Sequence, residues 1–411
     1  MSRNSVFLFN LSRWSYLIYA ALGALITALK GFFYAHLLDA FQYADVNYYL
    51  LILGVGVLLV GSGVMVRCHT ELPLLVKNPN PTVLDQFVVQ VKWTGFLFWL
   101  LLLPIVFFGS KTFGLSVSLQ ALSIIQVLIF FLFTVDLMVV KSRLEFVTYA
   151  KQVFARNAII AVAGFSAAYV TADAVWTVAF EVACALLIYA RGLASFAVGV
   201  RLPRKNFLLE SINYVPVTLV GSLVQFVDRL LASSVLSTEQ FSRFSYFSLI
   251  VLAGLSIQQL VNTRIITVLP AMCEADPRQG FRYVVKTSLV MGALLIVVLS
   301  AVMLTLQSPW FSASWFERDY TLGFLFVWVA LFRSVDFYTS YLLVLNQKLR
   351  LFLTQVVVLL LLCIGVLVFK FYFAATGLFS FVLIMFFGFF IMLIALIITA
   401  WRVSGADKNS E

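Results

Sequence analysis

The sequence predicts an all-α integral membrane protein of about twelve transmembrane helices arranged in two six-helix lobes. Three observations predict it. The chain is 63% hydrophobic and only 11% charged, with a mean hydropathy of +1.03, far more apolar than a soluble fold of this length can cover. Apolar runs of roughly 20 residues, the length that crosses about 30 Å of hydrocarbon, recur from end to end. The polar stretches between them are too short to form a separate soluble domain. Helices follow because backbone groups in lipid must be satisfied within the segment, and the runs are far longer than barrel strands.

The first expected span, 11–38, follows Arg3 and Arg13, carries Lys30 and lacks a small-residue cleavage site, so it reads as a retained helix rather than a removable signal peptide. After the second, 47–66, comes the longest polar interruption, Arg67 to Lys92. There Pro73, Pro79 and Pro81 mark turns and Leu84 to Val91 reads as a short amphipathic surface helix. Spans 93–109, 113–139, 154–172 and 175–199 complete an N-terminal lobe, 1–200. The basic stretch Arg201-Leu-Pro-Arg-Lys-Asn206 is the expected linker, 201–206, and 207–411 the C-terminal lobe, with spans 209–234, 244–268, 284–306, 321–345, 351–373 and 377–401. A weak internal repeat fits this division: Tyr48-Tyr-Leu-Leu-Ile-Leu-Gly-Val-Gly56 aligns with Tyr246-Phe-Ser-Leu-Ile-Val-Leu-Ala-Gly254. Parallel repeats of this kind are common in transporters.

Orientation follows from the basic residues. Only Lys111, Arg243, Arg318 and Lys370 fall in the odd-numbered connections, and Lys30, Arg229 and Arg333 fall inside spans. The rest of the 28 lie with the two termini, which are therefore expected in the cytoplasm of a bacterial inner membrane. The net charge of +10 is then the signature of loops facing anionic membrane lipids, and no nucleic-acid partner is implied. Cys68, Cys184, Cys273 and Cys363 show no metal or disulfide spacing and are expected as free thiols.

Basic side chains at bilayer depth cost several kcal/mol unless they face a wet or paired interior, so Lys30, Arg229 and Arg333 are the first functional candidates. The seventh span places Thr218, Ser222, Gln225, Arg229 and Ser233 along one helical face, and the first does the same with Tyr16, Tyr19, Gly23, Thr27, Lys30 and Tyr34. The tenth carries Arg333, Asp336 and Ser340. Two readings stay open: these groups line a cationic cavity that holds an anion, or they join helices and are neutralised by Asp136, Asp228 or Asp336. The acids Asp136, Glu181, Asp228 and Asp336 are candidates for coupling to H+ or Na+. A phosphate-binding loop and a metal cluster are lacking, and His36 and His69 are the only histidines. Neither an enzyme, a resident cofactor nor ATP-driven transport is expected.

The stretch Gln225-Phe-Val-Asp228-Arg-Leu-Leu-Ala-Ser-Ser-Val-Leu236, followed by Phe244-Ser-Tyr246 and Val268-Leu-Pro270-Ala, resembles the seventh and eighth helices of bacterial polysaccharide flippases. These are the O-antigen type of the multidrug/oligosaccharidyl-lipid/polysaccharide (MOP) exporter superfamily, which also contains the MATE transporters. Trp315-Phe-Glu-Arg-Asp-Tyr320 and Tyr341-Leu-Leu-Val-Leu-Asn-Gln-Lys348 are similar to the loop before the family's tenth helix and to that helix's exit. The family's Leu-Gly-Pro-x-x-Tyr-Gly turn stands here as Leu38-Asp-Ala-Phe-Gln-Tyr43-Ala, without its Gly and Pro. The resemblance implies alternating-access flipping of an undecaprenyl-diphosphate-linked oligosaccharide from the cytoplasmic to the periplasmic leaflet for surface polysaccharide assembly, such as O-antigen lipopolysaccharide, with membrane lipids and polysaccharide polymerase and chain-length proteins as partners. Lys30, Arg229, Arg333, Gln225, Ser222 and Thr27 would then contact the diphosphate and sugars. The rivals are an ion-coupled multidrug or metabolite antiporter, whose cavity should favour acids over bases, and a non-transporting scaffold of a polysaccharide synthase complex.

Overall fold

In the computed structural model, residues 3–76, 80–110, 115–199, 202–372 and 377–406 are described, and among them there is no strand. The helices in chain order are α1 (Arg3–Leu37), α2 (Ala40–Gly61), α3 (Val64–Leu75), α4 (Pro81–Ser110), α5 (Val117–Ser142), α6 (Phe146–Thr171), α7 (Ala174–Ile188) and α8 (Ala190–Val198). They continue with α9 (Lys205–Val235), α10 (Thr238–Ala275), α11 (Pro277–Gln307), α12 (Tyr320–Ser334), α13 (Tyr338–Val344), α14 (Lys348–Tyr372) and α15 (Leu378–Ala406). Among the described residues nine segments are long and apolar enough to cross a membrane, and ten if the bent α7–α8 pair is one span. The protein is thus an all-α, multi-pass membrane protein. The first expected span lies on α1, whose apolar part is Ala21–Leu37, and the seventh on α9, whose polar stripe dilutes its hydropathy. Contacts divide the chain into two compact units, Met1–Phe226 and Val227–Glu411, within α9. Of the expected linker 201–206, Arg201 lies outside the described residues, and Lys205 and Asn206 already belong to α9.

In unit 1, α1 packs along α6, α6 along α7, and α2 against α4 and α5. Helix starts follow the local chemistry: Asp39 caps α2, Ser116 caps α5 and Asp173 caps α7, each side-chain oxygen accepting a first-turn N–H. The expected proline-marked interruption after span two is mostly helical. Arg67 and Pro73 fall within α3, and the stretch read as a separate surface helix, Leu84 to Val91, is the first part of α4, which begins at Pro81. Pro81 needs no N–H partner at a helix start, which is why it opens α4 rather than breaking it. Pro79 lies outside the described residues. Between α2 and α3, Gly63 has φ +74 and donates to Thr218 Oγ1 at 3.2 Å. A Cβ there would overlap the Ser211 carbonyl, so both conformation and space demand glycine.

In unit 2, α10 packs against α11 and α12, and α15 covers α12 and α14. The core is aromatic: Phe247 stacks on Phe326 with centroids 5.2 Å apart, and Phe244 meets Phe381 edge-on at 5.6 Å. Buried Tyr246 donates to the carbonyls of Leu306 (3.1 Å) and Phe311 (3.2 Å), tying the end of α11 and the segment after it to α10. Pro270, two residues beyond the expected span 244–268, lies inside α10, which runs on to Ala275. The four cysteines are free.

Candidate functional site

The ionisable side chains at membrane depth are mostly assembled into compact clusters within each unit. In unit 1, α1 sends Lys30 and Tyr34 to Glu181 on α7. Lys30 Nζ lies 2.5 Å from Oε1 and 2.6 Å from Oε2, and the Tyr34 hydroxyl donates to Oε1. Glu181 is 1% exposed, whereas the Lys30 side chain retains 13%. Gly164 on α6 makes this possible, because a Cβ at that position would overlap both Tyr34 and Glu181. The buried Tyr49 ring, on α2, is within electrostatic reach of Glu181. Thr27, one turn before Lys30, is exposed and donates to the Gly23 carbonyl at 3.0 Å.

A second cluster in unit 1 joins α4, α5 and the α7–α8 bend. Lys92 Nζ lies 2.6 Å from Asp136 Oδ1, and Tyr189 donates its hydroxyl to Asp136 Oδ2. Tyr189 stands where the α7 and α8 axes diverge by 63°. Beside it, the Arg156 guanidinium sits over Phe130 at 4.3 Å and over Phe133 at 4.9 Å, and bonds Asn157. Assigned by their place in the sequence to connections, Lys92 and Arg156 instead lie within apolar helices, Lys92 in Pro81–Ile105 and Arg156 in Phe146–Thr171. Sequence reading missed them because each lies at the start of its expected span, 93–109 or 154–172, where a loop residue and a snorkelling side chain look alike.

In unit 2, Arg333 Nη1 meets Asp228 Oδ2 at 2.5 Å, with side-chain exposures of 7% and 4%, and the guanidinium lies over Phe389 at 4.8 Å. Asp228 Oδ1 is buried with no hydrogen-bond partner. Two residues beyond Arg333 the helix breaks, and α13 starts afresh at Tyr338. Asp336 takes the Thr339 N–H at 3.1 Å and its hydroxyl at 2.7 Å. The carbonyls freed by the break are used: Val335 accepts from Ser288 on α11 (3.0 Å) and Asp336 from Gln258 on α10 (2.8 Å). Irregular backbone survives at this depth only with such partners.

Of the sequence-selected residues, the structure brings Lys30 to Glu181 and Asp228 to Arg333, and couples Asp136 to Lys92. Gln225 is exposed and Arg229 half-buried on α9, while the Ser222 side chain lies outside the described residues. On the expected polar face of α9, Thr218 and Ser233 donate to carbonyls of their own helix. Near the start of α3, Arg67 is a further buried cation, bonded to Glu71, Glu210 and the Phe207 carbonyl. There burial, then Glu71, pushes the Cys68 thiol up to about 12, so it stays protonated. No group of His, Cys, Asp or Glu among the described residues is arranged to hold a metal.

Neither a family model nor a curated protein matches this chain. Solved structures do. An inward-facing multidrug resistance MATE family transporter of the MOP superfamily matches with a TM-score of 0.63 and 13% identity over 95% of this chain and 96% of its own. Lipid II flippase MurJ, inward closed, gives 0.65 and 13% over 93% and 87%. A MOP superfamily transporter from Pyrococcus furiosus, whose reversed binding-pocket polarity suggests a different function, gives 0.53 and 12% over 97% and 96%. The chain has the fold of these transporters.

Proposed function

We propose that the protein is a MOP-superfamily flippase that moves an undecaprenyl-diphosphate-linked oligosaccharide from the cytoplasmic to the periplasmic leaflet by alternating access. It would lie in a bacterial inner membrane with both termini cytoplasmic, coupled to H+ or Na+, and serve O-antigen polysaccharide assembly beside polymerase and chain-length proteins. The observation that carries this reading is a set of basic side chains inside membrane-depth helices: Lys30 on α1, Lys92 on α4, Arg156 on α6, Arg229 on α9 and Arg333 on α12. Charge at that depth is costly to keep, and its simplest use is to hold an anion through charge-assisted hydrogen bonds. A diphosphate bearing acidic sugars fits such groups. The fold likeness to a lipid II flippase supports a lipid-linked substrate.

The antiporter reading draws on one specific observation. Lys30 and Arg333 each meet a buried carboxylate, which neutralises them when no anion is present. Complementation separates the two. A deletion strain carrying wild type or Lys30→Ala, Arg229→Ala or Arg333→Ala is assayed for surface polysaccharide, lipid-linked precursor and protein level. Lost polysaccharide with accumulated precursor at normal protein level supports the flippase. Unchanged polysaccharide on deletion, with altered drug tolerance, moves the function to the antiporter. Wild-type behaviour of all three variants in a strain that does need the gene points to the scaffold.

A further inference from the structure

The Lys30–Glu181 cluster is asymmetric in a way that a static ion pair does not require. Lys30 keeps 13% of its side chain accessible while Glu181 keeps 1%, so only the cation can be reached by an incoming ligand. Resting on the diphosphate-handling reading above, the geometry points to Glu181 as the proton carrier of that site: an anion that takes Lys30 leaves Glu181 to take a proton.

The exchange balances. Lys30 remains an ammonium throughout, and its N–H donors turn from the carboxylate to a phosphate oxygen. The Glu181 carboxylate, left with the Tyr34 hydroxyl as its donor, gains a proton from water and becomes a neutral acid. On release the O–H bond breaks, the proton leaves and the ion pair re-forms. A carboxylate so deeply buried neutralises rather than remain without a counter-charge.

Among the described residues, nothing else nearby supplies compensating charge. From α1 come Lys30 and Tyr34, and from α2 the Tyr49 hydroxyl, buried and without a hydrogen-bond partner. Asp45 of α2 is within reach of Asp39 and Asp173 instead. On α6, Lys151 lies over the Tyr19 ring and Arg156 over Phe130 and Phe133. Asp136 of α5 is held by Tyr189, eight residues beyond Glu181 in sequence, roughly 12 Å away along a helix. Asp136 itself is 40% exposed and so lacks the deep burial of Glu181. Asp228 faces a partner almost as buried as itself.

The test uses the full chain, purified and reconstituted in nanodiscs, titrated calorimetrically at pH 7 with farnesyl-diphosphate-linked N-acetylglucosamine in buffers of different ionisation enthalpy. This diphosphate diester has no proton to exchange near neutrality. Wild type should take up about one proton for each ligand bound. Glu181→Gln should bind the ligand without proton uptake, Glu181→Asp should restore uptake, and Lys30→Gln should weaken binding about tenfold or more. In wild-type protein, carbodiimide, which modifies protonated carboxyls in apolar surroundings, should label Glu181 faster when ligand is bound. That readout requires no variant to fold. Binding by wild type without proton uptake, uptake that persists in Glu181→Gln, or labelling that the ligand leaves unchanged overturns the inference and leaves the flippase reading standing. Absence of binding by wild type overturns both.

Discussion

Each unit buries a cation against a carboxylate, and the two pairs respond to disturbance in opposite ways. In unit 1 the cation is a lysine with residual access, and its buried partner Glu181 receives the Tyr34 hydroxyl as well. In unit 2 the cation is an arginine almost as buried as Asp228, and one oxygen of Asp228 has no partner. An arginine does not lose its proton inside a protein, whereas a carboxylate can gain one. Loss of the cation in unit 1 therefore leaves a group that can shed its charge, whereas loss of the carboxylate in unit 2 leaves one that cannot. An adjustable pair suits a changing occupant, and a fixed pair suits the joint beside a broken helix.

The largest test of this difference is Asp228→Ala. It leaves a permanent cation buried at the end of α12, and unfolding measurements in detergent should show a loss of about 3–5 kcal/mol. Lys30→Met should cost less, about 1–3 kcal/mol, because Glu181 keeps Tyr34 and can be neutralised by a proton. The double variant Asp228→Leu with Arg333→Met should recover most of what the single one loses. Equal losses for Asp228→Ala and Lys30→Met would end the distinction.

Gly164→Ala probes unit 1 without removing any charge. The new methyl group overlaps the Tyr34 hydroxyl and Glu181, so the pair must open or α1 must move away from α6. Overpacking of this kind typically costs about 1–3 kcal/mol. If the cluster relaxes by opening, Lys30 should also become more reactive towards amine reagents in the folded protein. A stable variant with unchanged lysine reactivity would mean that the contact is loose.

How much of this was legible in sequence depends on the range of the interaction. Apolar runs are local, and the expected spans fall on helices, with the fold shared by MATE and MurJ structures. Lys30, Glu181, Asp228 and Arg333 stood out as ionisable groups in apolar surroundings. Their pairing did not, because Lys30 and Glu181 are 151 residues apart and Asp228 and Arg333 105. The α12–α13 break was missed for a different reason. Segment 334–337 holds no glycine or proline, and its one cue is the Asp336-x-x-Thr339 turn, which an apolar window averages away. The bend at Tyr189 has no sequence cue of that kind either. It is marked in the fold by the Asp136 carboxylate that receives the tyrosine hydroxyl.

The break also supplies the smallest prediction. Ser288 on α11 is buried and donates to the Val335 carbonyl, one of the groups freed when α12 ends. Ser288→Ala leaves that carbonyl without its α11 partner while changing little volume, so a loss of about 1 kcal/mol is expected. Since Val335 directly follows α12, the backbone around Arg333 should loosen before the helices on either side. Hydrogen exchange of the 335–339 amides should therefore rise in Ser288→Ala, while the segment around Glu181 in unit 1 keeps its protection. Faster exchange at both places would mean that the two pairs share one cooperative unit, and the contrast between an adjustable and a fixed pair would then describe chemistry without independence.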